Sequence, residues 1–124
     1  DLVGVSIMVV EDDPGYKSVL VLALTAQGAD VAAYRTAREA IAALRDGLTC
    51  DVLLTDVILR GGVNGFAVAN IARELHPDLP IIYLSGYADT AAQAEHHTPG
   101  VYLRKPIGGD DLVREILRVR NTPR

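Results

Sequence analysis

The residues best suited to chemistry in this chain each follow a short apolar run. The acidic tripeptide at positions 11–13 follows SIMVV, and Asp56 follows DVLLT. Ser85 follows PIIYL, and Lys105 comes shortly after VYL. If these runs are neighbouring strands of one parallel sheet, their ends deliver several functional groups to the same edge.

These residue types together suit phosphoryl transfer. Neighbouring carboxylates repel each other and a divalent cation relieves that repulsion, and oxygen ligands with room for water suit Mg²⁺. A lysine ammonium neutralises phosphoryl oxygens, and a serine hydroxyl donates a hydrogen bond to another oxygen. One aspartate is then free to act as a nucleophile and form an acyl phosphate. The set predicts Mg²⁺-assisted transfer of a phosphoryl group onto an aspartate.

Five apolar runs alternate with five helical patterns along the chain. We predict strands at residues 6–10, 29–33, 51–55, 80–84 and 101–103, helices at 14–27, 36–45, 66–75, 89–97 and 110–119, and a loop at 61–65. The runs are rich in Val, Ile and Leu without polar alternation, which is typical of parallel strands covered on both faces. The alternation therefore predicts an α/β sheet between two helical layers.

Two of the predicted helices begin with capping signals. Asp13 precedes Pro14, which suits the first position of a helix, and Gly28 follows the apolar pattern that ends there. Thr36 and Glu39 have the spacing of a capping box.

The composition is that of one ordinary globular domain. The 124 residues are 49% hydrophobic and 23% charged, which permits a core without cross-links. The net charge of −4 argues against direct binding of nucleic acid, and no apolar run reaches the ~18 residues of a membrane span. A single cysteine, Cys50, excludes an intrachain disulfide and fits a reducing compartment. We expect one domain over residues 1–124, cytoplasmic and without membrane contact.

Four motifs, VVEDDP, LLTDVIL, YLSGYA and YLRKP, resemble the receiver domains of response regulators and hybrid histidine kinases. The resemblance covers about residues 5–119 and keeps the order and spacing of all four motifs. It implies a flavodoxin-like (βα)5 three-layer sandwich, with a five-stranded parallel sheet of order 2-1-3-4-5. It also implies a phosphorelay in which a kinase phosphohistidine passes its phosphoryl group to this domain with the help of Mg²⁺, switching its conformation.

The resemblance implies a role for each matching residue. Asp56 would be the phosphoacceptor, Lys105 the phosphate-binding lysine, and Ser85 and Tyr102 the switch residues. The Mg²⁺ ligands would be Asp12 directly, Glu11 through water, Asp56, and the backbone carbonyl of Ile58. The Lys105–Pro106 peptide bond would be cis.

The chain departs from the family pattern in two places. The segment VILRGGVN after Asp56 has Arg60 where a proline is common and carries an extra glycine. It resembles the loop of receivers fused to hybrid histidine kinases and of some stand-alone receivers, and it favours the hybrid kinase slightly. The predicted helix 89–97 is short and poor in large apolar residues. In many receivers the output face runs across this helix, so the chain departs from the family pattern at the surface that the usual dimers use. We expect a histidine kinase or phosphotransfer protein as partner, and leave a phosphorylation-dependent homodimer open.

Two other functions are compatible with parts of this pattern. A Mg²⁺-dependent phosphohydrolase of the haloacid-dehalogenase type would need a second acid two residues after its nucleophile, and Ile58 occupies that place after Asp56. A protein-binding pseudo-receiver would have lost the chemistry, against which the intact acids, serine and lysine argue. We expect a signalling phosphoacceptor that is not itself an enzyme, although its parent protein could be a histidine kinase.

Overall fold

The computed structural model describes residues 1–59, 64–86 and 98–121. Within these residues the strands are β1 (Ser6–Val10), β2 (Asp30–Tyr34), β3 (Val52–Asp56), β4 (Ile81–Ser85) and β5 (Val101–Arg104). The helices are α1 (Pro14–Ala26), α2 (Ala37–Arg45), α3 (Gly65–Leu75) and α4 (Gly109–Asn121). The helix predicted at 89–97 and most of the loop predicted at 61–65 lie outside the described residues.

The five strands form one parallel sheet in the order β2-β1-β3-β4-β5, which confirms the predicted topology. Two apolar clusters cover its faces, one formed with α1 and α4 and the other with α2 and α3. The first includes Leu20, Leu24, Leu112 and Ile116, and the second includes Ala40, Leu44, Phe66 and Ala69. Burial on both faces explains why β1, β3 and β4 are continuous apolar runs. None of the described helices is long and apolar enough to cross a membrane.

Both predicted helix caps are present. The Asp13 carboxylate accepts hydrogen bonds from the backbone amides of Gly15 at 2.9 Å and Tyr16 at 3.3 Å. The Thr36 hydroxyl oxygen accepts one from the backbone amide of Glu39 at 3.1 Å. The Glu39 carboxylate accepts a bond from the Thr36 hydroxyl at 3.0 Å, whereas a complete capping box would have it accept from the backbone amide of that residue.

Three strands begin and end one residue later than predicted, namely β2, β3 and β4. For β3 and β4 the pairing register explains the shift, because Asp56 lies opposite Leu84 in the sheet and Ser85 opposite Arg104. Backbone pairing includes these polar residues in the strands, whereas an apolar pattern stops before them. Asp56 and Ser85 are therefore strand residues held by the sheet, rather than residues of the loops that follow.

Helix α3 begins against the backbone of the residue that ends β3. The Gly65 amide donates a hydrogen bond to the Val57 carbonyl at 2.8 Å. A Cβ atom at Gly65 would lie 1.7 Å from the carbonyl oxygen of Asp56, so no other residue fits there without a backbone movement. The same carbonyl accepts a hydrogen bond from the Thr55 hydroxyl at 3.0 Å. Glycine at position 65 thus allows α3 to support the end of β3.

We predict that Gly65→Ala lowers the free energy of unfolding by about 2–3 kcal/mol, since the methyl group must displace backbone atoms in a packed region. Urea unfolding followed by far-UV circular dichroism measures the change. The matched control is Gly109→Ala, also at the first residue of a helix, where the nearest atom to a new Cβ is 3.8 Å away. Similar midpoints for the two variants would contradict the prediction.

Candidate functional site

Three acidic side chains converge where β1 and β3 end. Glu11 and Asp12 directly follow β1, and Asp56 ends the neighbouring strand β3. One carboxylate oxygen from each of the three lies within 4.8 Å of the others. Glu11 is fully buried and Asp56 is 2% exposed, whereas Asp12 is half-buried. The structure therefore brings together the acids that the sequence analysis selected.

Lys105, which directly follows the edge strand β5, completes the cluster. Its Nζ lies 2.8 Å from Glu11 Oε1 and 2.7 Å from Asp56 Oδ1. Its backbone amide donates a hydrogen bond to the Ser85 carbonyl at 3.0 Å, which extends the pairing of β4 and β5. The Lys105–Pro106 bond is cis, as expected. The side chain thus spans β4 to reach acids held by β3 and β1.

The ionisation of this cluster is set by burial and by close contacts. Burial, followed by the contact with Glu11, raises the pKa of Asp56 to about 8 despite the nearby ammonium group. Burial also opposes ionisation of Glu11, but its hydrogen bonds with Asp56, Lys105 and the Asp13 amide outweigh burial and lower its pKa. For Lys105 the contacts with the two carboxylates outweigh burial and raise the pKa, so the amine stays charged.

The cluster has oxygen atoms left over for a ligand. Among the described residues no hydrogen-bond donor meets Asp56 Oδ2, although that atom is buried. In the ionised form of Asp56 this oxygen is a buried acceptor without a donor, which is costly, and a bound cation would compensate for it. Carboxylate oxygens are the hard ligands that Mg²⁺ prefers. Because Asp12 is partly exposed, water can complete the coordination shell of the metal. The donor set of this site fits the expected metal.

The two expected switch residues lie in β4 and β5. The Ser85 hydroxyl donates a long hydrogen bond, 3.5 Å, to the Leu103 carbonyl. The Tyr102 ring is 42% exposed and stacks on the Tyr83 ring, with centroids 4.8 Å apart and an interplanar angle of 24°. Ile58, whose carbonyl is an expected metal ligand, lies just beyond β3 with an exposed side chain.

Sequence reasoning did not select Tyr16, which contacts the site from α1. Lys105 Nζ lies 5.1 Å from the centroid of its ring, a cation–π distance. Its hydroxyl oxygen accepts a hydrogen bond from the Ile107 amide at 3.4 Å. The available signal was its place three residues after the Asp13 cap, in the first turn of the helix that follows the acids.

The fold and site together define a class of α/β domain in which acids and a lysine meet at the carboxyl edge of a parallel sheet. Residues 7–117 match the family model described as the response regulator receiver domain, and the chain belongs to that family. The resemblance of its four motifs is thereby confirmed. The chain is a receiver domain with a phosphoacceptor role in two-component signalling. Receiver domains bind Mg²⁺ through acidic residues and interact with histidine kinases or phosphotransfer proteins.

Relatives and solved structures agree with this assignment. The chain is 32% identical over 114 residues to the DNA-binding transcriptional regulator NtrC of Salmonella typhimurium, covering 90% of this chain and 24% of that protein. It is 34% identical over 111 residues to the transcriptional regulatory protein TcrA of Mycobacterium tuberculosis, covering 88% and 43%. A response regulator receiver protein from Sinorhizobium medicae superposes with a TM-score of 0.87, at 28% identity and 98% coverage of both chains. The chain therefore spans about a quarter of NtrC and less than half of TcrA.

We predict that thermal stability in EDTA falls as the pH rises from about 5.5 to about 8.5, because the folded Asp56 keeps a proton that the unfolded chain has released. Its folded pKa, about 8, exceeds the ordinary value of 3.8. The stability that this proton provides is complete below the unfolded pKa and is lost as the pH rises through the folded one. Melting followed by circular dichroism measures the slope, which Asp56→Asn should flatten. Equal slopes in both proteins would contradict the prediction.

Proposed function

We propose that Asp56 is the phosphoacceptor of this receiver domain and that Lys105 binds the incoming phosphoryl group. The observation that supports this most directly is the asymmetry of the Asp56 carboxylate. One of its oxygens lies 2.7 Å from the Lys105 ammonium, while the other is buried without a donor from the described residues. Once Asp56 is ionised, the second oxygen is available as a nucleophile, beside a positive charge that suits a phosphoryl oxygen.

The metal ligands of the proposal come from the same cluster. Asp12 and Asp56 would bind Mg²⁺ directly, and Glu11 would do so through water, with the Ile58 carbonyl as a further ligand. The half-exposed Asp12 supports this division, because it offers oxygen atoms next to solvent, whereas Glu11 is fully buried. When bound, the metal supplies positive charge that neutralises the phosphoryl oxygens.

The proposed transfer needs only the phosphohistidine of the partner and proton exchange with solvent. Positive charge from a bound cation would favour ionisation of Asp56, so the proton that the metal-free residue retains would pass to solvent. A carboxylate oxygen of Asp56 then attacks the phosphorus atom of a phosphohistidine on the partner, and a new O–P bond forms. The P–N bond breaks, and its electron pair stays on the imidazole nitrogen, which takes a proton from solvent. Lys105 and the acids need only hold their positions and charges, which is the main requirement of phosphoryl transfer.

We further propose that Ser85 and Tyr102 respond to the phosphorylated state. The long bond from the Ser85 hydroxyl to Leu103 is weak, so a phosphoryl oxygen would compete well for that donor. Tyr102 would have to leave its stack on Tyr83 in order to move toward Ser85. The proposed switch therefore exchanges an aromatic contact for a hydrogen bond at the phosphate.

The role of the whole protein is also part of the proposal. We propose a single receiver domain over residues 1–124 that acts in the cytoplasm on a phosphoryl group from a histidine kinase or phosphotransfer protein. The net charge of −4 supports a domain that does not itself bind DNA. NtrC, named as DNA-binding, is matched over only 24% of its length, so output through a separate DNA-binding region is an alternative to the hybrid-kinase parent that the loop after Asp56 favours.

We predict that a small phosphodonor with Mg²⁺ raises the intact mass by one phosphoryl group and that Asp56→Asn abolishes the increase, because the amide cannot form an acyl phosphate. Intact-protein mass spectrometry measures the labelling. Asp46→Asn, at the exposed C-terminus of α2, is the matched control and should be labelled like the wild type. Labelling that survives Asp56→Asn would refute the assignment, and multiple turnover on a simple phosphate ester would favour the phosphohydrolase.

We predict that Asp12→Asn weakens Mg²⁺ binding by about 10-fold or more, since it removes a charged metal ligand. Even the residues that only orient metal ligands change metal affinity by about 10-fold or more when they are replaced. Isothermal titration calorimetry with MgCl₂ measures the affinity. The adjacent Asp13→Asn is the matched control, because asparagine caps a helix as well as aspartate does. Its affinity should stay within about 2-fold of the wild type, as expected for an exposed charge screened by solvent. Equal losses in the two variants would remove Asp12 from the metal site.

A further inference from the structure

The ammonium group of Lys105 has three described neighbours of two kinds. Two are the carboxylates of Glu11 and Asp56, at 2.8 and 2.7 Å. The third is the ring of Tyr16, whose centroid lies 5.1 Å away. The Lys105 side chain keeps 27% of its surface exposed, so these contacts rather than a closed cavity determine where the amine lies.

The two kinds of contact respond differently to the ligands of the site. The carboxylates are the groups that the proposed function assigns to Mg²⁺, and a bound dication would repel the ammonium and compete with it for the same oxygens. The Tyr16 ring carries no formal charge and offers no oxygen from its face to a metal. Its attraction for the amine comes from the ring quadrupole and persists when the carboxylates are engaged elsewhere.

Tyr16 is itself held at both ends. Its backbone amide donates to the Asp13 side chain in the first turn of α1. Its hydroxyl accepts a hydrogen bond from the amide of Ile107, two residues beyond Lys105. The residue therefore connects the start of α1, which follows the acids, to the turn that carries the lysine.

We propose that Tyr16 is a positioning residue of the phosphorylation reaction, whose ring keeps the Lys105 ammonium beside Asp56 when the carboxylates bind a metal. This inference rests on the proposed function of Asp56 and Lys105. Tyr16 contacts neither the phosphoryl group nor the metal in this scheme and acts only through the lysine. Its ring, rather than its hydroxyl, makes the essential contact.

The test compares Tyr16→Phe, which keeps the ring, with Tyr16→Leu and Tyr16→Met, which remove it. At saturating Mg²⁺ we expect Tyr16→Leu and Tyr16→Met to slow labelling by acetyl phosphate about 3- to 10-fold, the loss of one cation–π contact at a partly exposed site. Tyr16→Phe should stay within about 2-fold of the wild type, since the contact of its ring remains. The Mg²⁺ concentration for half-maximal rate should not change in any of them.

A second measurement, by NMR spectroscopy, reports the position of the Lys105 amine independently of the phosphorylation reaction. In the wild type and in Tyr16→Phe, the ring current should shift the Lys105 ε-proton resonances away from those of an exposed lysine, with and without MgCl₂. In Tyr16→Leu the shift should disappear. Leu22→Ala, on an exposed part of α1, is the matched control and should leave both the resonances and the labelling rate unchanged. Thermal melting of each variant shows that it is folded.

The outcomes separate this inference from the proposal on which it rests. If the wild type is not labelled, or Asp56→Asn still is, the proposed function fails. If that labelling behaves as expected but Tyr16→Leu matches the wild type in rate or in Lys105 resonances, only the role of Tyr16 fails. Equal slowing by Tyr16→Phe and Tyr16→Leu would also overturn it, because the hydroxyl contact to Ile107 would then be the essential one.

Discussion

The carboxyl groups of Glu11 and Asp56 are buried side by side, and one ammonium group, that of Lys105, lies within hydrogen-bonding distance of both. Burying two such acids is costly, and a single cation compensates for only part of the charge. Burial and the contact with Glu11 raise the pKa of Asp56 for this reason, and added positive charge at the cluster would favour its ionised form.

The parallel sheet supplies the geometry that this interaction needs. Because β1 and β3 are neighbours, their ends place the acids together, and β5, two strands from β3, brings the lysine across β4. Helix α3 then supports the Asp56 backbone through a contact so close that only glycine is accommodated at position 65. Asp56, the proposed nucleophile, is thus held by strand pairing on one side and by a helix start on the other, which limits its movement.

Three aromatic rings, from α3, β4 and β5, pack against one another beside the proposed switch. Tyr83 lies between Phe66, at a centroid distance of 5.0 Å, and Tyr102, at 4.8 Å. The Tyr83 hydroxyl donates a hydrogen bond to the Thr98 carbonyl at 2.6 Å, which fixes the start of β5 to the core. Any rearrangement of Tyr102 must therefore break a contact with a buried ring. In this chain the cost of the proposed switch depends on Tyr83 as well as on Ser85.

The sequence by itself determined the strands to within a residue or so, the described helices, the caps of α1 and α2, and the acids that meet at the site, because apolar period, capping residues and motif spacing are local properties. Its motifs also identified the family. Only the tertiary structure decided that Asp56 and Ser85 belong to strands, that Tyr102 stacks on Tyr83, and that Tyr16 lies over the Lys105 amine. These contacts join residues that are distant in the chain or lie in neighbouring strands. Pairing register and packing across the sheet bring them together, and no local pattern in the sequence encodes either.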